Sequence, residues 1–226
     1  MLPAPEGVWG MPPEELSKLP GYDPDVAKNR VEARNIMQRL GYGPDKRLPV
    51  TVSTRNIPPY RDAAVILIDQ LKEIYIDGVL DPVDTTQWYP RILRKDYTVG
   101  LNVTEAGVDD PDQQFYESYV CAAERNYTGY CSPELDQLVD QQSAESDKEK
   151  RKQSVWEIEK RLAEDGARPV IFYPPPGHLP ASAGQRPDCH GQQHLQRLPL
   201  RGSLARQLNV SLLRRSNISG VDERAR

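Results

Sequence analysis

Gly107-Val108-Asp109-Asp110-Pro111-Asp112 opens the stretch whose reading decides the fold, and Asn126-Tyr127-Thr128-Gly129-Tyr130-Cys131-Ser132-Pro133-Glu134-Leu135-Asp136 closes it. Asp110-Pro111 and Ser132-Pro133-Glu134 are both helix openings. In each, a short oxygen-bearing residue caps free amides and a proline fills the first helical position. Between them lie a short aromatic helix and a polar loop ending in Gly129-Tyr130. The simplest role for Asp109 and Asp110 is to shape this turn and cap the helix after it.

Working outward, the pattern alternates strand and helix. Leu2 to Pro20 is rich in proline and irregular, with one helical turn expected at Pro13–Leu16. Asp23-Pro24-Asp25 starts a helix whose apolar face is expected to run through Val26, Val31, Ile36 and Leu40, with Gly41 and Gly43 as its stop. Leu48 to Thr54 alternates as a strand. Pro59 opens a helix to about Asp77 with a broad apolar face. Val79 to Val83 is a short strand, Trp88 to Leu93 a helix and Tyr97 to Val103 another strand. Helices at about 112–120, 133–143 and 146–165 precede a last strand at Pro169–Tyr173. This spacing predicts an α/β fold with mostly parallel pairing. Trp88-Tyr89 and Trp156 read as core anchors.

This order of elements, with the acidic turn at 107–111 and the Gly-Tyr loop before Ser132-Pro133-Glu134, resembles the back lobe of family 5 extracellular solute-binding proteins. These are the dipeptide, oligopeptide and nickel-binding components that feed ABC importers. The resemblance covers about residues 6 to 175 and implies one lobe of a type II periplasmic-binding-protein fold, with a mostly parallel or mixed sheet and flanking helices. It further implies a peptide or peptide-like solute, an ABC permease as partner, a monomer and a periplasmic location. No cofactor and no metal are expected.

The resemblance also directs attention to Thr104, Glu105, Ala106, Gly107 and Asp109 as solute contacts, since ligands of open α/β sheets bind beyond the carboxyl ends of strands. Peptide-binding members place an aspartate three residues before the Asp-Pro aspartate, where it pairs with the ligand's α-ammonium. That position is Gly107 here, so the amine clamp does not carry over. Glu105 or Asp109 stands close enough in sequence to supply a carboxylate. Some dipeptide-binding relatives bridge the following loop with a disulfide, which implies Cys121–Cys131 as a pair in an oxidising compartment. Two separate reduced cysteines remain the alternative.

Composition breaks after residue 176. Residues 1–176 hold 21 Lys and Arg against 30 Asp and Glu, and residues 177–226 hold 8 Arg against 3 acidic residues. Every Tyr, Phe and Trp precedes residue 177, and all 3 His follow it. A stretch without aromatics builds a core with difficulty. Two readings stand: a disordered basic tail, or translation out of frame. Reading the codons of Gln192–Arg201 one base later permits Asn-Ser-Ile-Tyr-Asn-Gly-Tyr-Arg-Phe-Glu, akin to the aromatic ending of the resembled family. The scattered arginines lack stacking partners, which argues against nucleic acid. The expected organisation is therefore a lead-in at 1–20, a solute-binding lobe at 21–176 and a disordered or out-of-frame tail at 177–226. Met1-Leu2-Pro3-Ala4 carries no secretory-signal pattern, so the chain reads as the C-terminal portion of an exported protein, with a cytoplasmic fragment as the other option.

Catalysis finds little support. The body has no His, which removes the usual general base and the Ser-His and Cys-His nucleophile pairs. No glycine-rich phosphate loop follows a strand. Asp147-Lys148-Glu149-Lys150-Arg151-Lys152 is the mixed charge of a solvated helix face. The four Asn-x-Ser/Thr matches, at Asn102, Asn126, Asn209 and Asn217, read as chance. Two functions remain: the substrate-binding component of an ABC transporter, present as a partial chain, or a truncated or frameshifted remnant without ligand binding.

Overall fold

A computed structural model of the chain describes residues 7–19, 21–104 and 108–171. The expected tail at 177–226, with Cys189, lies outside these residues. So do Glu105, Ala106 and Gly107.

Three parallel strands, β1 (Leu48–Arg55), β2 (Ile76–Val83) and β3 (Val99–Leu101), form a sheet in the order β2-β1-β3. β1 pairs with β2 along its whole length, from Leu48 opposite Ile76 to Arg55 opposite Val83. β3 pairs only from Val52 opposite Val99 to Thr54 opposite Leu101, so the strand expected over 97–103 is shorter. Pro82 sits on edge strand β2, where a missing amide costs no ladder bond.

The alternation along β1 separates the two faces of the sheet. Leu48, Val50 and Val52 pack with α3 (Pro58–Lys72) and α2 (Val26–Arg39), around Ala33, Met37, Ala64, Leu67, Ile68 and Leu71. The buried stripe of α2 is Ala33 and Met37. Val31 and Leu40, expected on it, are 48% and 47% exposed. Ala33 and Met37 lie on the side of α2 that meets the cluster of α3 and the sheet, so position on the helix, not side-chain size, decides which residues are buried. Gly41, at φ +83°, takes the left-handed turn that ends α2. On the other face, α4 (Thr85–Leu93) buries Trp88 and Ile92 against Val83, with Tyr97 and Tyr127 packed alongside. The expected strand at 169–173 is not formed in its described part. Residues 169–171 are in no strand, although Ile171 packs against the α3 side of the sheet.

A second cluster is helical, made by α5 (Pro111–Ser118), α6 (Pro133–Ala144) and α7 (Lys148–Asp165). Phe115, Leu135, Val139, Val155, Ile158 and Leu162 form it, and burying each contributes about 1.5–3 kcal/mol. Each helix has its sequence-encoded cap: Asp110 accepts from the Asp112 amide, Ser132 from Leu135, and Asp147 from Glu149 and Lys150. The lead-in contributes to this cluster as well. Beyond its short helix α1 (Pro13–Leu16), Trp9 is buried, its indole N–H donates to the Asp109 carbonyl at 2.9 Å, and Trp156 donates to the Trp9 carbonyl at 2.9 Å.

Arg151 joins these parts. Its guanidinium lies 4.7 Å from the Trp9 ring centre, donates to both Asp110 oxygens at 2.9 and 3.2 Å, and donates to Gln142 at 3.0 Å. Asp112 lies 3.2 Å away and accepts in turn from the buried Gln142 amide. Burial pushes the Asp110 carboxyl up, but the hydrogen bonds from Arg151 and the Asp112 amide, with the Arg151 charge, outweigh it and hold the group below the ordinary carboxylate range. Around the loop that follows, Cys121 and Cys131 are bonded, with Cα atoms 4.4 Å apart. The buried Asn126 donates to the carbonyls of Val120 and Tyr130.

Two outcomes follow for stability. Asp110→Asn keeps a capping oxygen but removes the charge, so it should cost about 1–2 kcal/mol at pH 7; Asp110 is more than a third exposed, which favours the low end of the range for charged hydrogen bonds. A depressed folded pKa stabilises above the unfolded value near ~3.9 and loses that contribution as pH falls through the folded value. In urea titrations followed by tryptophan fluorescence, the gap between wild type and variant should be full at about pH 6 and close towards about pH 2. A gap independent of pH would contradict this. Cys131→Ser should cost about 2–3 kcal/mol in the same titration, from the loop entropy released. Reduction of the wild type should lower its midpoint to match, and reduction of the variant should change nothing.

Candidate functional site

The parallel sheet brings three chain exits to one edge: Arg55-Asn56 after β1, Asp84 after β2, and Asn102 to Thr104 after β3. Each exit is fixed locally. The Asn56 amide donates to the Val83 carbonyl at 2.8 Å, and Pro58 opens α3 at once, so Arg55 is held at a strand-to-helix corner. Asp84 caps α4 through the Thr86 amide. Trp88, fully buried, donates from its indole to Asn102 at 3.2 Å and ties α4 to the β3 exit. The Thr54 hydroxyl donates to the Leu101 carbonyl at 3.0 Å.

Arg55 is the cation at the centre of this edge. Its guanidinium carbon lies 5.0 Å from the Tyr60 ring centre and 5.9 Å from that of Tyr89, and Nη1 donates to the Tyr60 hydroxyl at 3.3 Å. Nε is buried with no hydrogen-bond partner, and among the described residues no carboxylate pairs with this side chain. Two aromatic faces and a partly exposed guanidinium without a carboxylate partner suit a planar anion such as a carboxylate. Tyr89, expected in the core beside Trp88, is instead 43% exposed, because it points to the side of α4 away from the Val83 cluster, and so it offers ring surface beside the cation.

Of the residues expected from sequence, Thr104 lies at the β3 exit, where its hydroxyl oxygen accepts from Arg168 at 2.6 Å. Asp109 is engaged elsewhere: its Oδ2 accepts from the Val8 amide at 2.9 Å, and its carbonyl holds Trp9. Glu105, Ala106 and Gly107 lie outside the described residues. Arg55 was missed from sequence, although a basic residue ending a strand just before Pro58-Pro59 was a usable signal, given where open sheets bind ligands. Arg168, two residues beyond the left-handed Gly166 that ends α7, carried no signal.

A wider concavity lies along the middle of the sheet, between Thr51, Ser53, Arg91 and Tyr97. It is open and polar, and Arg91 is committed to Asp81 at 2.6 Å. Among the described residues no group of three or more His, Cys, Asp or Glu side chains is placed to hold a metal ion. No helix among them is long and apolar enough to cross a membrane.

No protein-family model matches the sequence, and no curated protein matches it. Solved structures do. The ABC transporter substrate-binding protein CtaP of Listeria monocytogenes superposes with a TM-score of 0.58 at 24% identity, over 72% of this chain and 32% of its own. The Haemophilus influenzae OppA, solved with the peptide RPPGFSPFR, gives 0.57 at 18% identity over 61% and 27%. The Escherichia coli murein tripeptide binding protein MppA gives 0.57 at 17% over 62% and 28%. The chain thus spans about a third or less of the length of these structures. It carries the fold of one lobe of the family 5 peptide-binding proteins of ABC transporters, an α/β lobe of the type II periplasmic-binding-protein kind.

Proposed function

We propose that this lobe supplies one wall of a solute cleft, that the solute is a peptide or peptide-like molecule with a free carboxylate, and that Arg55 receives that carboxylate. The observation that carries the reading is the Arg55 guanidinium at the carboxyl edge of the sheet, faced by Tyr60 and Tyr89 and unpaired with any carboxylate among the described residues. Thr104 borders the same edge, with Glu105, Ala106 and Gly107 next to it in sequence. Asp109 acts at one remove, by holding the lead-in. The fold's relatives are transporter-associated binding proteins, which supports delivery to an ABC permease from outside the cytoplasmic membrane, with binding in place of catalysis. We divide the chain into a lead-in at 1–20, the lobe at 21–176 and a tail at 177–226. A remnant without binding is favoured by one observation, the loss of aromatics after residue 176.

One wall covers only part of a ligand, so affinity should be weak, on the order of 1 mM. NMR titration of the full 226-residue chain with trialanine should move resonances of Arg55, Tyr60 and Tyr89. C-terminal amidation of the peptide should weaken binding about tenfold, as loss of a charged hydrogen bond predicts. Arg55→Ala, checked by circular dichroism for an intact fold, should abolish the distinction between free and amidated peptide. Equal binding of both peptides by the wild type would remove Arg55 from the reading. No shift at 10 mM, an order of magnitude above the expected constant, would favour the remnant.

A further inference from the structure

A second arginine stands on the same edge. Arg168 donates from Nη2 to Thr104 Oγ1 at 2.6 Å, and its guanidinium carbon lies 6.0 Å from the Tyr127 ring centre. The Tyr127 ring packs against the Val83, Trp88 and Ile92 cluster, and its backbone carbonyl accepts from the Tyr97 hydroxyl at 2.8 Å. α4 therefore carries Trp88 beneath Tyr127 and, one residue on, Tyr89 beside Arg55. Each guanidinium thus lies against a tyrosine ring, Arg55 against Tyr89 and Arg168 against Tyr127, and α4 links the two rings at the carboxyl edge of one sheet. Burial pushes the phenols of Tyr97 and Tyr119 up, and the Arg168 charge draws both back, so its field reaches into this aromatic wall.

Among the described residues no carboxylate forms an ion pair with Arg168, unlike Arg91, Arg125, Arg151 and Arg161, each of which has at least one. Thr104 occupies one of its five donors and sets its direction. We propose that Arg168 is a second anion contact of the solute cleft, reading the carboxylate of an acidic side chain, so that the favoured solutes are peptides carrying Glu or Asp in addition to their terminal carboxylate. This rests on the reading of Arg55 given above. One cation accounts for a peptide's terminus. A second, separated from it by aromatic surface, has charge to spare for a side chain, and the aromatic faces between them suit the apolar stem joining two carboxylates.

The test is a set of isosteric peptides on the full-length chain: Ala-Glu-Ala and Glu-Ala-Ala against Ala-Gln-Ala and Gln-Ala-Ala, each followed by NMR titration. At least one acidic peptide should bind about five- to tenfold tighter than its Gln isostere in low salt, and the ratio should shrink at about 0.5 M salt. Arg168→Gln should bring the ratio to near one, while Arg168→Lys should retain part of it. Arg55→Ala should weaken the acidic and neutral members of each pair together. Measurable binding of all four peptides with ratios near one in the wild type would overturn the proposal and leave the Arg55 reading intact. A ratio that persists in Arg168→Gln would assign the preference to another group and overturn it equally. Absence of binding by all four would defeat both readings.

Discussion

The Arg151 guanidinium is the contact on which the helical half depends. It is held against an indole face, two carboxylates and a buried amide, contributed by residues far apart in sequence. Its stem rises from α7, Asp110 and Asp112 belong to the start of α5, Gln142 to α6 and Trp9 to the lead-in. Partial burial strengthens each hydrogen bond, and the multiplicity of partners meets the desolvation cost that a single partner would leave outstanding. The acidic turn is thereby a structural device first. Asp110 caps its helix and receives Arg151, while Asp109 accepts from the lead-in through one carboxylate oxygen.

The sheet side works by a different economy. β1 presents an apolar face to α3 and a polar one to α4, and the apolar face is the better covered along its first half, where Leu48 and Val50 are partly buried and Pro49 and Thr51 exposed. The uncovered strip explains why Thr51 and Pro49 are tolerated in a central parallel strand, where a continuous apolar run is the norm. At the carboxyl end coverage returns, with Trp88 fully buried, and the chain exits are pinned to one another. Rigid exits are what a ligand-facing edge requires, since a contact side chain is only as well placed as the element under it.

Much of the architecture was legible because its signals are local. Asp25, Asp110 and Ser132 each announce a helix start, and each accepts an amide of the first turn, whereas Asp147, read as part of a solvated helix face, is itself the cap of α7. What was not legible depends on tertiary neighbours. Ala33 and Met37 form the buried stripe of α2 because the sheet lies on that side, and nothing in the pattern of Val31 and Leu40 reveals which side that is. β3 shortens to Val99–Leu101 because only those residues find partners on β1. In the candidate site, Thr104 could be named from its place after a strand. Arg55 and Arg168 take on meaning only once folding sets them beside Tyr60, Tyr89 and Tyr127.

The clasp between the lead-in and the acidic turn has a kinetic corollary. Val8 and Trp9 meet Asp109 across about a hundred residues, and Met11 and Trp156 meet their partners across nearly one hundred and fifty. Such closures cost chain entropy before they return any energy, and high contact order slows folding. During synthesis the lead-in emerges well before α7 and must wait for it, because the partners of Trp9 and Met11 on α7 are made last. The sheet with α3 and α4 can assemble from nearer neighbours in the meantime, so Trp9 leaves water only with the late closure of the helical cluster.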